Sequence, residues 1–407
     1  MPTNNKSVWI IIVAALGYFV DIYDLILFGI VRVPSLTDLG VPQDQMQEKG
    51  ILLLNMQMAG MLLGGILFGV LGDIRGRVTV LFGSILLYSL ANVANGLVND
   101  VSSYAVIRFL AGLGLAGELG AGITLVSETM EKEKRGYGTM LVVFFGALGA
   151  VVAALVADKF DWRVSYFVGG GLGMLLLFMR VGAMESDMFK NLAQEGQKAG
   201  KFLKLITKKE LLLPYLRCIL IGVPVWYVVG VLVVFSPEFA RVMGVEGVIT
   251  GSQSVIWSYV GLSVGDLLSG LFSQLFHTRK KVIAASLVLG MLLSAVYLHS
   301  HGLSAPQFYW LCFFLGVSMG YWGLFVTVAS ETFGTNVRAT VTTTVPNFVR
   351  GATVPITLAF AYLQESWHLS MMESAAWVGL FSFAVALWAA YGLKETFGKD
   401  LNYIEII

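Results

Sequence analysis

Long apolar runs recur along the chain, each about the length of one membrane crossing, with short polar stretches between them. They lie at residues 8–32, 51–71, 78–97, 104–126, 137–157, 163–180, 213–235, 250–274, 280–299, 305–328, 338–362 and 372–393. A hydrocarbon layer about 30 Å thick takes about 20 apolar residues per helix. Lipid offers no partner for an unpaired backbone group, and a barrel would need alternating strands, so the runs predict helices. The expected fold is an all-α membrane protein of twelve spans. The first run carries Asp21 and Asp24 and no small-residue cleavage site follows it, so it reads as a retained span.

Residues 182–212 form the one long polar segment, rich in Lys, Glu and Gln. It falls after the sixth run and divides the chain into residues 1–181, a cytoplasmic linker, and residues 213–407. With the N-terminus inside, 19 of the 27 Lys and Arg fall on the cytoplasmic side and 5 on the opposite side, leaving Arg108, Arg217 and Arg350 within spans. That excess places both termini in the cytoplasm. An internal repeat supports the division. Ser127-Glu128-Thr129 is followed by Arg135, and Ser330-Glu331-Thr332 is followed by Arg338, each copy at the cytoplasmic end of the fourth span of its half. Gly69 and Arg77 have a weaker echo in Gly270 and Arg279. Two parallel six-helix repeats are a known transporter plan.

Composition agrees with lipid as the solvent. Only 13% of residues are charged and 57% are hydrophobic, against about 25% charged in soluble domains. A net charge of +1 with no basic tail gives no reason to expect nucleic acid. Cys218 and Cys312 both lie in apolar runs and read as packed thiols. No metal-ligand spacing and no P-loop occurs, so no metal, cofactor or ATP hydrolysis is expected. Gly112-x-Gly114-x-x-Gly117 has the letters of a dinucleotide fingerprint, but it sits inside an apolar helix with no strand before it.

Two motifs carry a resemblance. Residues Gly69-Val-Leu-Gly-Asp73-Ile-Arg-Gly76-Arg77 follow the pattern G-x-x-x-D-x-x-G-R between spans two and three. Arg108-Phe-Leu-Ala-Gly112-Leu-Gly114-Leu-Ala-Gly117 occupies the fourth span. Both resemble signatures of the major facilitator superfamily, whose two six-helix bundles rock around a central site. Asp21-Ile-Tyr23-Asp24 with Gly29, and the glycine-rich run containing Glu118, resemble its metabolite:proton symporters and their sugar-porter-like relatives. The resemblance implies transport, not enzyme catalysis. It also implies a monomer in a bacterial inner membrane.

Charged residues inside spans are the most informative ones, since each costs about 2.5–3.5 kcal/mol at the bilayer centre unless a cavity or partner receives it. Asp21 and Asp24 lie three apart on one helix. In a low dielectric they cannot both carry charge easily, so one can load and release a proton. The expectation is a split, one Asp paired with Arg108 and the other carrying the proton. Glu118 is either a second proton site or a packing partner. Arg350 either contacts an anionic substrate or closes an ion pair with Asp266 or a first-half acid. Asn347 lies one turn before it. Tyr23, Trp226, Tyr227, Trp257, Tyr259, Tyr321 and Trp322 either line a cavity or pack. Pro224, Pro346 and Pro355 can kink spans seven and eleven. Gly69, Asp73, Gly76, Arg77, Glu128, Arg135, Asp266, Glu331 and Arg338 form the expected cytoplasmic gate. The reading is proton symport of a small organic anion or zwitterion, with efflux of an amphipathic compound as the alternative.

Overall fold

The computed structural model describes residues 4–75, 77–118, 135–183 and 205–399. Sixteen α-helices are named here. The first half holds α1 (Asn4–Asp38), α2 (Met46–Arg75), α3 (Arg77–Asn95), α4 (Val101–Leu115), α5 (Arg135–Lys159) and α6 (Trp162–Ala183). The second half holds α7 (Lys209–Leu220), α8 (Val223–Tyr227), α9 (Ser236–Val242), α10 (Gly251–Leu275), α11 (Lys280–His299) and α12 (Ala305–Met319). It ends with α13 (Trp322–Thr332), α14 (Thr335–Gly351), α15 (Thr353–Ser366) and α16 (Met371–Gly392). A π-helical turn, Val228–Val233, follows α8.

Eight helical stretches among the described residues are long and apolar enough to cross a membrane. At 1.5 Å per residue a stretch of the length of α10, 25 residues, reaches about 38 Å. The other four expected spans fall on α1, α3, α4 and the α14–α15 pair. α1 carries Asp21, Asp24 and Arg32, α4 is described over 15 residues, and α14 is separated from α15 at Ala352. The expected linker residues 184–204 lie outside the described residues, and α7 begins within the segment expected to be polar. The side-chain pattern suits lipid. Phe178, Leu275 and Phe381 are exposed, while Arg32, Arg108 and Arg350 are the largest fully buried side chains.

Two of the helix breaks have local causes. Pro224 cannot donate to the carbonyl of Leu220, and α7 stops there. Pro355 cannot donate to Gly351, where α14 stops. The α12–α13 break has no proline. There Gly320 lies against the backbone of Gly265 and Asp266, too close for any Cβ, and its carbonyl accepts from Ser269 at 2.6 Å. In the first half α4 gives way to a turn at Ala116–Gly117, the same place in the repeat.

Both halves also press two helices together in one way. In the α2–α4 contact, Gly60 lies under the carbonyl of Phe109 and Gly112 under that of Gln57. In the α10–α12 contact, Gly261 lies under Phe313 and Gly316 under Ser258. Small residues allow this approach without a hydrophobic drive. Gly112→Ala puts a methyl into the Gln57 backbone, so it is expected to cost about 1–3 kcal/mol. A melting curve of the purified protein checks this, and an unchanged midpoint would show that the α2–α4 contact relaxes freely.

Candidate functional site

The two halves meet around a small central cavity. Tyr18 and Ile22 of α1 face Trp226 of α8, Tyr259 of α10, Trp322 of α13 and Arg350 of α14 across it. Its free volume of about 20 Å³ has room for water and not for an organic solute. The two halves touch across this site through the Asp21–Arg350 pair.

One wall is an ion pair between the halves. Arg350 Nη2 donates to Asp21 Oδ2 at 3.0 Å, and neither side chain has any exposed surface. Asp21 Oδ1 and the Nε and Nη1 atoms of Arg350 have no hydrogen-bond partner. The Arg350 guanidinium lies 6.0 Å from the Trp322 ring centroid. The indole N–H of Trp226 is also buried and unspent, while that of Trp322 lies within hydrogen-bonding reach of the Tyr18 hydroxyl. The unspent groups on the second-half wall are thus all donors.

Arg108 departs from the sequence expectation. It forms no ion pair with either aspartate. Its guanidinium lies 5.2 Å from the Phe28 ring and 5.7 Å from Tyr166, with all three nitrogens unpartnered. It does lie within electrostatic reach of Asp24, whose carboxylate also has Asn92 beside it. Asp21 took the second-half arginine instead, because α14 brings Arg350 directly onto α1. Glu118 is buried and within electrostatic reach of Asp21. Arg350 does not pair with Asp266. Asp266 Oδ1 accepts the Gly323 N–H at 2.9 Å in the first turn of α13. It therefore stands mid-helix beside the break and not at a cytoplasmic gate.

Several aromatic candidates pack inside one half. The Tyr23 hydroxyl donates to the carbonyl of Ser165 at 3.0 Å, and that of Tyr227 to Ala375 at 2.9 Å. Trp257 stacks on Tyr309 and meets Trp310 edge-on, and the Tyr321 hydroxyl donates to the carbonyl of Ile221. Asn347 does not face the cavity. Its Nδ2 donates to the carbonyl of Ala116 at 2.8 Å, tying α14 to the end of α4.

Of the expected gate, Gly76 and Glu128 lie outside the described residues, and Asp73, Arg77 and Arg135 are described as backbone within helices. Gly69 packs on Thr344 of α14. Glu331 meets Arg279 at 3.4 Å and accepts from the Thr396 hydroxyl at 2.7 Å. Arg338 donates to the carbonyls of Ser330 and Phe333. These last contacts all lie within the second half. Glu395, beyond α16, closes the same cluster. Burial works against its charge, but the Thr278 hydroxyl and the backbone N–H groups of Arg279, Phe397 and Lys280 outweigh that and hold its carboxyl below the usual range.

A second lock joins the halves at the end where α1 finishes, and its arginine is one that charge counting marks only for topology. Arg32 and Glu238 meet at two points, Nη1–Oε1 and Nη2–Oε2, each 2.7 Å. Nη2 also donates to the carbonyl of Val234 at 3.1 Å, and the guanidinium lies 4.5 Å from the Phe235 ring. Nearby, Gln253 donates to Asp158 at 2.8 Å and Thr357 to Asn55 at 2.6 Å.

Comparison with known proteins gives the family and the fold. The putative niacin/nicotinamide transporter NiaP of Bacillus subtilis (strain 168) is 26% identical over 97% of this chain and 96% of that protein. The sialic acid transporter NanX of Escherichia coli (strain K12) is 25% identical over 73% of this chain and 70% of that protein. The proton:xylose symporter XylE, solved with 6-bromo-6-deoxy-D-glucose, shares the fold. Its TM-score is 0.71 at 15% identity, over 98% of both chains. The family model described as Major Facilitator Superfamily matches residues 14–351, so this all-α, multi-spanning membrane protein belongs to that superfamily.

Proposed function

We propose that the chain is a proton-coupled symporter for a small organic monocarboxylate, working by alternating access at the interface of two six-helix bundles. Residues 1–181 and 213–407 form the bundles, with twelve spans in all and both termini in the cytoplasm of a bacterial cell. One observation carries the substrate class. The unspent polar groups on the second-half wall of the cavity are donors: Trp226 Nε1, and Nε and Nη1 of Arg350. Buried donors left unpaired are costly, and a carboxylate satisfies them together. Niacin and sialic acid, named for two relatives, both carry one carboxyl group.

Coupling follows from competition for one arginine. In the closed state Arg350 is held by Asp21. A substrate carboxylate that takes Arg350 leaves Asp21 as a buried, unpaired anion, which a proton neutralises. Proton and substrate then favour each other's binding, as linkage requires. Arg108 is the counter-charge of Asp24, and Glu118 tunes Asp21 by its field. The Arg32–Glu238 lock and the Asn347–Ala116 bond hold the two ends in this state, and the Asp73, Arg77, Glu128 and Arg135 set acts where the halves part.

Nicotinate and nicotinamide separate this reading from others, because they differ only at the carboxyl group. In proteoliposomes with an inward proton gradient, nicotinate is expected to accumulate well above equilibrium and nicotinamide to remain at equilibrium. Equal handling of the two would remove Arg350 as the carboxylate site. Accumulation of sialic acid in place of nicotinate would keep the site and enlarge the substrate.

A further inference from the structure

Asp266 is a buried carboxylate to which neither the fold nor the Asp21–Arg350 exchange gives a positive partner. It is 3% exposed. Oδ1 caps α13 through the Gly323 N–H, and Oδ2 has no hydrogen-bond partner. No Lys, Arg or His among the described residues lies within ion-pair distance of it. A helix N-terminus lowers the cost of a buried carboxylate only in part, and an unpaired one is expensive in a dry interior. A proton on Oδ2 removes that cost.

Its position connects it to the cavity. Tyr259, Leu262 and Asp266 fall at i, i+3 and i+7 on α10, one helical face. Tyr259 and Leu262 line the cavity, so Asp266 lies just past its floor, toward the end where α1 begins. From α1, Tyr18 lies within electrostatic reach of Asp266, Asp21 and Arg350 at once. From α5 the neighbour at Gly323 is Val143, which is apolar. From α13 the neighbours are Trp322 and Gly323, neither ionisable, and Arg350 of α14 is engaged with Asp21.

We infer that Asp266 is a second proton-carrying carboxyl of the transport cycle, lying between the central cavity and the side on which α1 begins. A proton from solvent forms an O–H bond on Oδ2 and takes the group from charge −1 to neutral. The same proton leaves on the other side, and the anion is restored. This rests on the symport reading above. It adds a consequence for charge. A monocarboxylate carried with one proton moves no net charge, whereas with two protons it moves one positive charge inward.

The experiment uses the full chain in proteoliposomes, with a trapped pH dye, nicotinate as substrate, and a potassium diffusion potential. The wild type is expected to move two protons per nicotinate and to speed up when the interior is made negative. Asp266→Asn keeps the oxygen that caps Gly323, so the break retains its bond. That variant is expected to move one proton per nicotinate, half the wild-type ratio, and to lose its response to the potential. An unchanged ratio or an unchanged response in Asp266→Asn overturns the inference, as does a wild type that moves one proton. A wild type that carries nicotinate with no proton at all defeats the symport reading itself. A second measurement needs neither substrate nor variant. Dicyclohexylcarbodiimide adds only to a protonated carboxyl, so peptide mass spectrometry should find Asp266 labelled at acid pH and progressively spared at alkaline pH. Absence of label at every pH overturns the assignment even where the variant fails to fold.

Discussion

Arg350→Ala is expected to abolish nicotinate accumulation and to cost about 3–5 kcal/mol of stability in the closed state, the range for removing one member of a buried pair. The reason is geometric. Asp21 and Arg350 are both without exposed surface, so neither water nor salt screens the charge left behind. Asp21→Ala is expected to cost a similar amount, since Arg350 then keeps one unpaired charge in the same dry wall. The double variant should recover most of the stability, because the pair's desolvation cost disappears with the pair. It should recover no transport. Arg350→Lys keeps the charge but loses the planar fork, so it should fold well and bind nicotinate poorly. Melting midpoints with nicotinate counterflow on the same preparations decide the matter. A single Arg350→Ala variant that melts like the wild type and still concentrates nicotinate would remove this pair from the mechanism.

Much of the frame could be read along the sequence because lipid imposes one rule on every segment. The apolar runs each report on a single segment, and each is local. Two of the three helix breaks were local as well, since Pro224 and Pro355 remove their own donors. The third was not. Gly320 ends α12 because Gly265 and Asp266 of another helix press against it, and no neighbouring residue in the sequence announces that. Pairing was the least legible feature. Asp21 and Arg350 lie 329 residues apart, so the sequence leaves Arg350 between an anionic substrate, Asp266 and a first-half acid; the structure takes the last of these, while Arg108, expected on one aspartate, pairs with neither. Among the aromatics, Trp226 and Trp322 line the cavity while Tyr23, Tyr227 and Trp257 pack within a half. Helical spacing alone does not tell these apart, because the phase that faces the cavity depends on how the halves dock.

Arg32→Ala is expected to open the end of the molecule where α1 finishes. Arg32 has no exposed surface and Glu238 has little. Truncating one partner of a buried, hydrogen-bonded charge pair costs about 2–5 kcal/mol, much of it the penalty on the charge left behind. Opening that end hydrates Glu238, so the open state escapes the penalty and the closed state bears it. A bias of about 2 kcal/mol changes the ratio of the two states by a factor of about 30, since 1.4 kcal/mol is tenfold. The lock differs from the central pair in one respect. Arg32 lies outside the cavity, so its loss should leave nicotinate recognition by Arg350 intact while slowing net uptake, because the carrier dwells open at one end. Spin labels on Val248 and Leu97, both exposed and in opposite halves, report the change as a longer mean distance by electron–electron resonance. Glu238→Gln should lengthen it less, because it leaves a neutral acceptor for Arg32. If the distance distribution of Arg32→Ala overlays the wild type, the pair holds nothing shut, and the closing force belongs to Gln253–Asp158, Thr357–Asn55 and the helix packing around them.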